Sequence, residues 1–188
     1  METENKMSPE QSLEVIQQMI ASAKSEVKAS GFLFLLWGWL VFIVSISQFI
    51  MVTVVPVDHS GRIWWLMVVG GVVSIMHSVK KEKRERIKTY IGDFMRNIWI
   101  AFGSAMFVVM FFAGATKITL PVIIILYGIG LFLSGGALKF KPLMFGGFFC
   151  WICAAVAFKV QNEYILLILA LAVLGGYIIP GHLLNAKK

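Results

Sequence analysis

The chain has 188 residues, 59% of them hydrophobic and only 14% charged, which is more apolar surface than a soluble fold of this length can bury. Lipid is the solvent that accommodates it, and fifteen Phe and six Trp suit a bilayer. A net charge of +7 would suggest nucleic acid in a soluble protein; here the placement of the charges makes it a topology signal, and nucleic acid is not an expected partner.

Residues 1–30 are polar and carry Glu2, Glu4, Glu10, Glu14 and Glu26. A secretory signal needs a basic start followed at once by a short apolar stretch, so this segment does not read as one. The first apolar run is expected to act as an uncleaved anchor, and neither end carries a lipidation motif. Ser8-Pro9-Glu10-Gln11 supplies an N-cap, a proline at the first helical position and a capping-box glutamine. Leu13, Ile16, Ile20, Ala23 and Val27 follow at spacings of 3, 4, 3 and 4, a narrow apolar seam on one helix face. The spacing predicts a cytoplasmic amphipathic helix over 1–30. Its seam suits either the bilayer surface or a second helix, from another copy or from a cytoplasmic protein.

A membrane-crossing helix needs about 20 apolar residues, with about 17 as the lower limit. That rule predicts six spans within 31–183, at 31–55, 63–79, 97–115, 118–138, 142–158 and 164–183. The fold class is therefore all-α: a polytopic bundle of six spans after an N-terminal amphipathic helix, with a tail at 184–188. Pro121 and Pro142 fall in first helical turns, where a missing N–H costs nothing. Pro180, followed by Gly181, is expected to kink or end span 6.

The cytoplasmic loop 80–96 is strongly basic, with Lys80, Lys81, Lys83, Arg84, Arg86 and Lys88 placed to meet anionic lipid headgroups. Ile87, Ile91, Phe94 and Ile98 keep helical spacing, so spans 2 and 3 are expected to extend as helices beyond the membrane. Counted over the whole chain, fourteen Lys and Arg fall on the side of the N-terminus and three (Arg62, Lys117, Lys159) on the other. The positive-inside rule then puts both termini in the cytoplasm.

No Asp, Glu, Lys, Arg or His lies in the middle of a span. Ionisable groups are retained in lipid where protons or ions must pass, so the pattern speaks against a proton-driven transporter, an ion pump or an intramembrane protease. The polar side chains that remain, among them Gln48, Ser74, Ser134 and Tyr127, suit hydrogen bonds between helices. Cys150-Trp151-Ile152-Cys153 is a Cys-x-x-Cys motif, but it sits mid-span without the cation or helix N-terminus that a reactive thiolate needs. Packing is its first reading, with redox or metal chemistry as the alternative. His77 and His182 each follow a glycine doublet, Gly70-Gly71 and Gly175-Gly176, by the same six residues. This suggests either a parallel repeat or two imidazoles set for a metal or haem iron, against the plainer reading of polar anchoring at the interface. No resident cofactor is expected. Further doublets at Gly135-Gly136 and Gly146-Gly147 suit close helix packing.

Three stretches, LWGWLVF at 36–42, LKFKPLMFGG at 138–147 and YIIPGHLL at 177–184, resemble small multi-pass inner-membrane proteins of Gram-negative bacteria, a group to which no activity attaches. The resemblance implies a bacterial inner membrane and brings no functional residues with it. The expectation is a non-enzymatic scaffold or regulatory partner acting through its N-terminal helix. A small transporter or channel for an uncharged or lipidic solute, and a redox or haem protein, are the alternatives.

Overall fold

The computed structural model describes residues 9–55, 58–84, 90–114, 116–160 and 163–186, and the side chains of 9–12, 14–16, 18–28 and 81–84 lie outside that description. The described residues are helical, with no strands. Helix α1 runs unbroken from Pro9 to Thr53, 45 residues. At 1.5 Å per residue it is about 67 Å long, more than twice the hydrocarbon thickness of about 30 Å. Its apolar part is Ala29–Thr53. The expected amphipathic helix and first span are thus one rod. Nothing between Lys28 and Phe32 breaks it, because Gly31 uses its missing Cβ to meet Asn185 and Leu184.

A 3₁₀ turn, Ser60–Trp65, leads into α2, Leu66–Arg84. Helix α3 follows at Tyr90–Ala113, α4 at Thr119–Ala137 and α5 at Lys141–Ala157. The last crossing is a composite of α6 (Ile165–Val173), a π-helical turn (Leu174–Ile178) and α7 (Ile179–Ala186). Five of these crossings are long and apolar enough to cross a membrane, and α5 is a shorter apolar helix of 17 residues. Near 25 Å, it sits at the lower limit for a span. Helix α2 runs on to Arg84, past its apolar span, and α3 begins at Tyr90, before the predicted span start at 97, in keeping with the helical spacing of Ile91 and Phe94; Ile87, the first residue of that spacing, lies outside the described residues.

Pro180 does not end the last crossing. A proline ring collides with the carbonyl four residues before it, here Gly176. That residue lies in the π turn, where Ile179 N–H bonds to Leu174 O instead of stepping back four residues. The chain passes through this wider turn and the helix continues to Ala186.

Cross-chain pairs fix the vertical order. Gly31 meets Asn185, and Phe32 stacks on His77 with centroids 4.7 Å apart. The start of the apolar part of α1, the end of α2 and the end of α7 therefore share one end of the bundle. At the other end Trp64 donates to Gln48 and Phe49 packs on Tyr164 at 6.0 Å. The core is built by α1, α4, α5 and the composite crossing, around Phe34, Ile124, Leu131, Leu143, Leu169 and Val173. Helices α2 and α3 are peripheral and mostly exposed. They are sequence neighbours, yet α2 packs on α1 and α3 chiefly on α4.

Candidate functional site

Two regions concentrate what chemistry the bundle has. The first is a closed ring of aromatic side chains in the core. Phe34 meets Trp99 at 5.8 Å, Trp99 meets Phe102 at 5.2 Å, Phe102 stacks on Tyr127 at 5.6 Å, Tyr127 meets Tyr177 at 5.4 Å, and Tyr177 returns to Phe34 at 5.9 Å. One ring thus ties α1, α3, α4 and the π turn together through tilted, edge and stacked contacts, each adding to plain burial. The Tyr177 hydroxyl is buried and has no hydrogen-bond partner, as do those of Ser45 and Ser134. The π turn places Tyr177 there, and single π turns recur at functional positions. Sequence reasoning picked out Tyr127 and Ser134 but missed Tyr177. The only available signal was Pro180 three residues later, a hint that the helix must change pitch.

The cysteines lie beside this ring. Cys150 and Cys153 are free and buried, and the Cys150 thiol donates to the Ala172 carbonyl at 3.5 Å. A Cβ on Gly176 would come within 2.7 Å of Cys150 Sγ, so the sulfur fills the notch that the glycine leaves. Among the described residues no three His, Cys, Asp or Glu gather as a metal site. His77 is half-buried against Phe32, whereas His182 is exposed on α7. Their helices do not pack together. The matching glycine doublets also differ in setting: Gly70 meets Leu40 on a regular helix, while Gly176 sits in the π turn against Leu131 and Cys150.

Gln48, Ser74 and Tyr127 are each engaged separately. Trp64 Nε1 donates to Gln48, Trp37 Nε1 donates to Ser74 at 3.0 Å, and Ser74 donates to the Gly70 carbonyl at 2.8 Å. Two clefts are formed by described residues, and neither is lined by any of the three. One lies between α4 and α5, lined by Ile125, Ile129, Trp151, Ala154, Ala155 and Phe158. The other lies where α3 begins and α4 ends.

The second region is the end of the bundle that carries the basic residues. Of the seam, Leu13 is described and is 58% exposed; Ile16, Ile20, Ala23 and Val27 lie on α1 with side chains outside the description. Lys80 is exposed near the end of α2. Lys81, Lys83 and Arg84 continue that helix without described side chains, and Arg86 and Lys88 lie outside the described residues. At the same end Asp93 and Arg96 pair at 3.0 Å, both about half exposed; such a pair contributes little stability.

The fold defines a class, an all-α membrane protein of several crossings whose core is aromatic and uncharged. Within that class no protein-family model matches the chain, and no curated protein or solved structure matches it either.

Proposed function

We propose that this is a non-enzymatic scaffold or regulatory protein of the bacterial inner membrane. Both termini lie in the cytoplasm, and the N-terminal part of α1 docks a second copy or a cytoplasmic protein. The observation that carries the reading is the continuity of α1. From Pro9 to Lys28 the helix extends about 30 Å beyond its apolar part, and Leu13 on it is exposed. A rod fixed at its base by Asn185 and the Phe32–His77 stack carries its N-terminal half as helix. Such a preorganised helix loses little entropy on binding. The fourteen-to-three distribution of Lys and Arg supports the orientation.

Crosslinking in native membranes tests the proposal. Deleting residues 8–28 is expected to abolish crosslinked species seen with the full chain. Unchanged species after the deletion refute it.

A second reading, a conduit for an uncharged or lipidic solute, draws on the buried hydroxyls of Ser45, Ser134 and Tyr177 that lack partners. Buried polar groups are normally hydrogen-bonded, and a passing solute would supply the missing bonds. Solute-dependent swelling of proteoliposomes, lost in a Tyr177→Phe variant, would favour it.

A further inference from the structure

The groove at the start of α3 and the end of α4 combines three features that packing alone does not explain. Tyr90, Ile91 and Phe94 form one wall, and Gly136 and Ala137 form the other, around a volume of about 240 Å³. Tyr90 and Phe94 stack with their planes 14° apart and remain exposed, Tyr90 at 85%. The groove lies where the apolar span of α4 ends, so it opens at the level where acyl chains meet headgroups.

The glycine doublet in its wall divides its labour. A Cβ on Gly135 would meet the Met144 backbone nitrogen at 2.8 Å, so this glycine lets α4 and α5 approach. A Cβ on Gly136 would meet nothing within 4 Å, and its backbone is helical. Glycine within a helix costs about 0.5–1 kcal/mol relative to alanine; Gly136 stands in the last turn of α4, and no atom of the described residues uses the space.

The turn that follows the α4 wall of the groove is basic, at a cost to the backbone. Helix α4 ends in a Schellman motif: Phe140 N–H bonds to Gly135 O at 2.8 Å and Lys139 N–H to Gly136 O at 3.2 Å. The left-handed position of that motif is usually glycine. Here it is Lys139, at φ 51°. A cation thus stands where glycine would be cheaper, with exposed Lys141 two residues on. Asp93, the described acid on the same stretch of α3, is paired with Arg96.

We infer that this groove binds an anionic glycerophospholipid. Its phosphate is held by Lys139 and Lys141, and the upper part of one acyl chain lies along Gly136 between Ile91 and Phe94. The charge of the turn after α4 matches the headgroup, and the apolar lining matches the chain. The proposal needs only the membrane placement of the bundle, not the docking role of α1.

The test is native mass spectrometry of the full chain released from detergent with phosphatidylglycerol or phosphatidylcholine. The protein is expected to retain phosphatidylglycerol preferentially. Removing each lysine, in Lys139→Gly and Lys141→Gln, should lower that preference about fivefold. Gly136→Leu, which fills the groove without touching the charges, should displace the lipid. Lys117→Gln with Lys159→Gln, at the other end of the bundle, should leave retention unchanged. Full retention in Gly136→Leu, or an unaltered preference in both Lys139→Gly and Lys141→Gln, overturns the proposal.

Discussion

Gly146 of α5 lies directly against Gly176 of the π turn: a Cβ on Gly146 would sit 2.9 Å from the Gly176 carbonyl oxygen. The other member of the doublet, Gly147, faces a different neighbour, with its Cβ position 2.8 Å from the Gly128 carbonyl oxygen of α4. Two adjacent glycines therefore let α5 press backbone to backbone on both neighbours. In lipid, where the hydrophobic effect does not drive helices together, such dispersion contact is a main source of packing energy.

Side chains at that point should force the helices apart. Gly146→Val is expected to destabilise the bundle by about 1–3 kcal/mol. Gly71→Ala, where the added Cβ meets nothing within 4 Å, should be neutral or stabilise by about 0.5–1 kcal/mol. Thermal unfolding in detergent, followed by tryptophan fluorescence, distinguishes the two.

Helix α2 is tied to the bundle by few contacts, and the bond from Trp37 Nε1 to Ser74 Oγ at 3.0 Å is one of them. Trp37→Phe removes the donor and is expected to cost about 0.6 kcal/mol, the average for such bonds in membranes. The loss should be local. Faster amide hydrogen exchange in 66–79, with the rates in α4 and α5 unchanged, is the expected pattern.

The Tyr177 hydroxyl has no partner while its ring packs on Phe34 and Tyr127. Tyr177→Phe keeps the ring and removes the unsatisfied group, so it should stabilise the protein by about 1 kcal/mol. A measured destabilisation of that size would instead mean that the hydroxyl is bonded in the membrane.

Lys139 adopts a left-handed backbone that a Cβ disfavours by about 1–2 kcal/mol. Lys139→Gly should therefore raise the unfolding temperature, whereas Lys139→Ala, which keeps the Cβ, should not. The comparison separates backbone relief from loss of charge.

Much of the architecture was legible because a bilayer imposes a length. Runs of apolar residues interrupted by Lys117, by Lys139 and Lys141, or by Lys159 allow few alternative parses. The placement of Pro142 at the start of α5 follows from backbone chemistry that is local, while Ser8, the expected cap of α1, lies outside the described residues. Where local rules met tertiary contacts, the contacts prevailed. Gly31 reads as a boundary between two helices, yet Asn185, over 150 positions away in sequence, occupies the space its side chain would need. Pro180 reads as a kink or stop; the helix does not stop there, but turns π-helical just upstream and continues to Ala186.

The sequence by itself determined the solvent, the helical class and the lack of buried charge, because each depends only on which residues follow one another. Which glycine of each doublet packs and which stays open, the aromatic ring from Phe34 through Tyr177, and the pairing of the α3 start with the α4 end were decided by the tertiary structure. Those features depend on the rotation of each helix about its own axis. In lipid, where apolar residues cover every face, that rotation leaves no periodic signature along the chain.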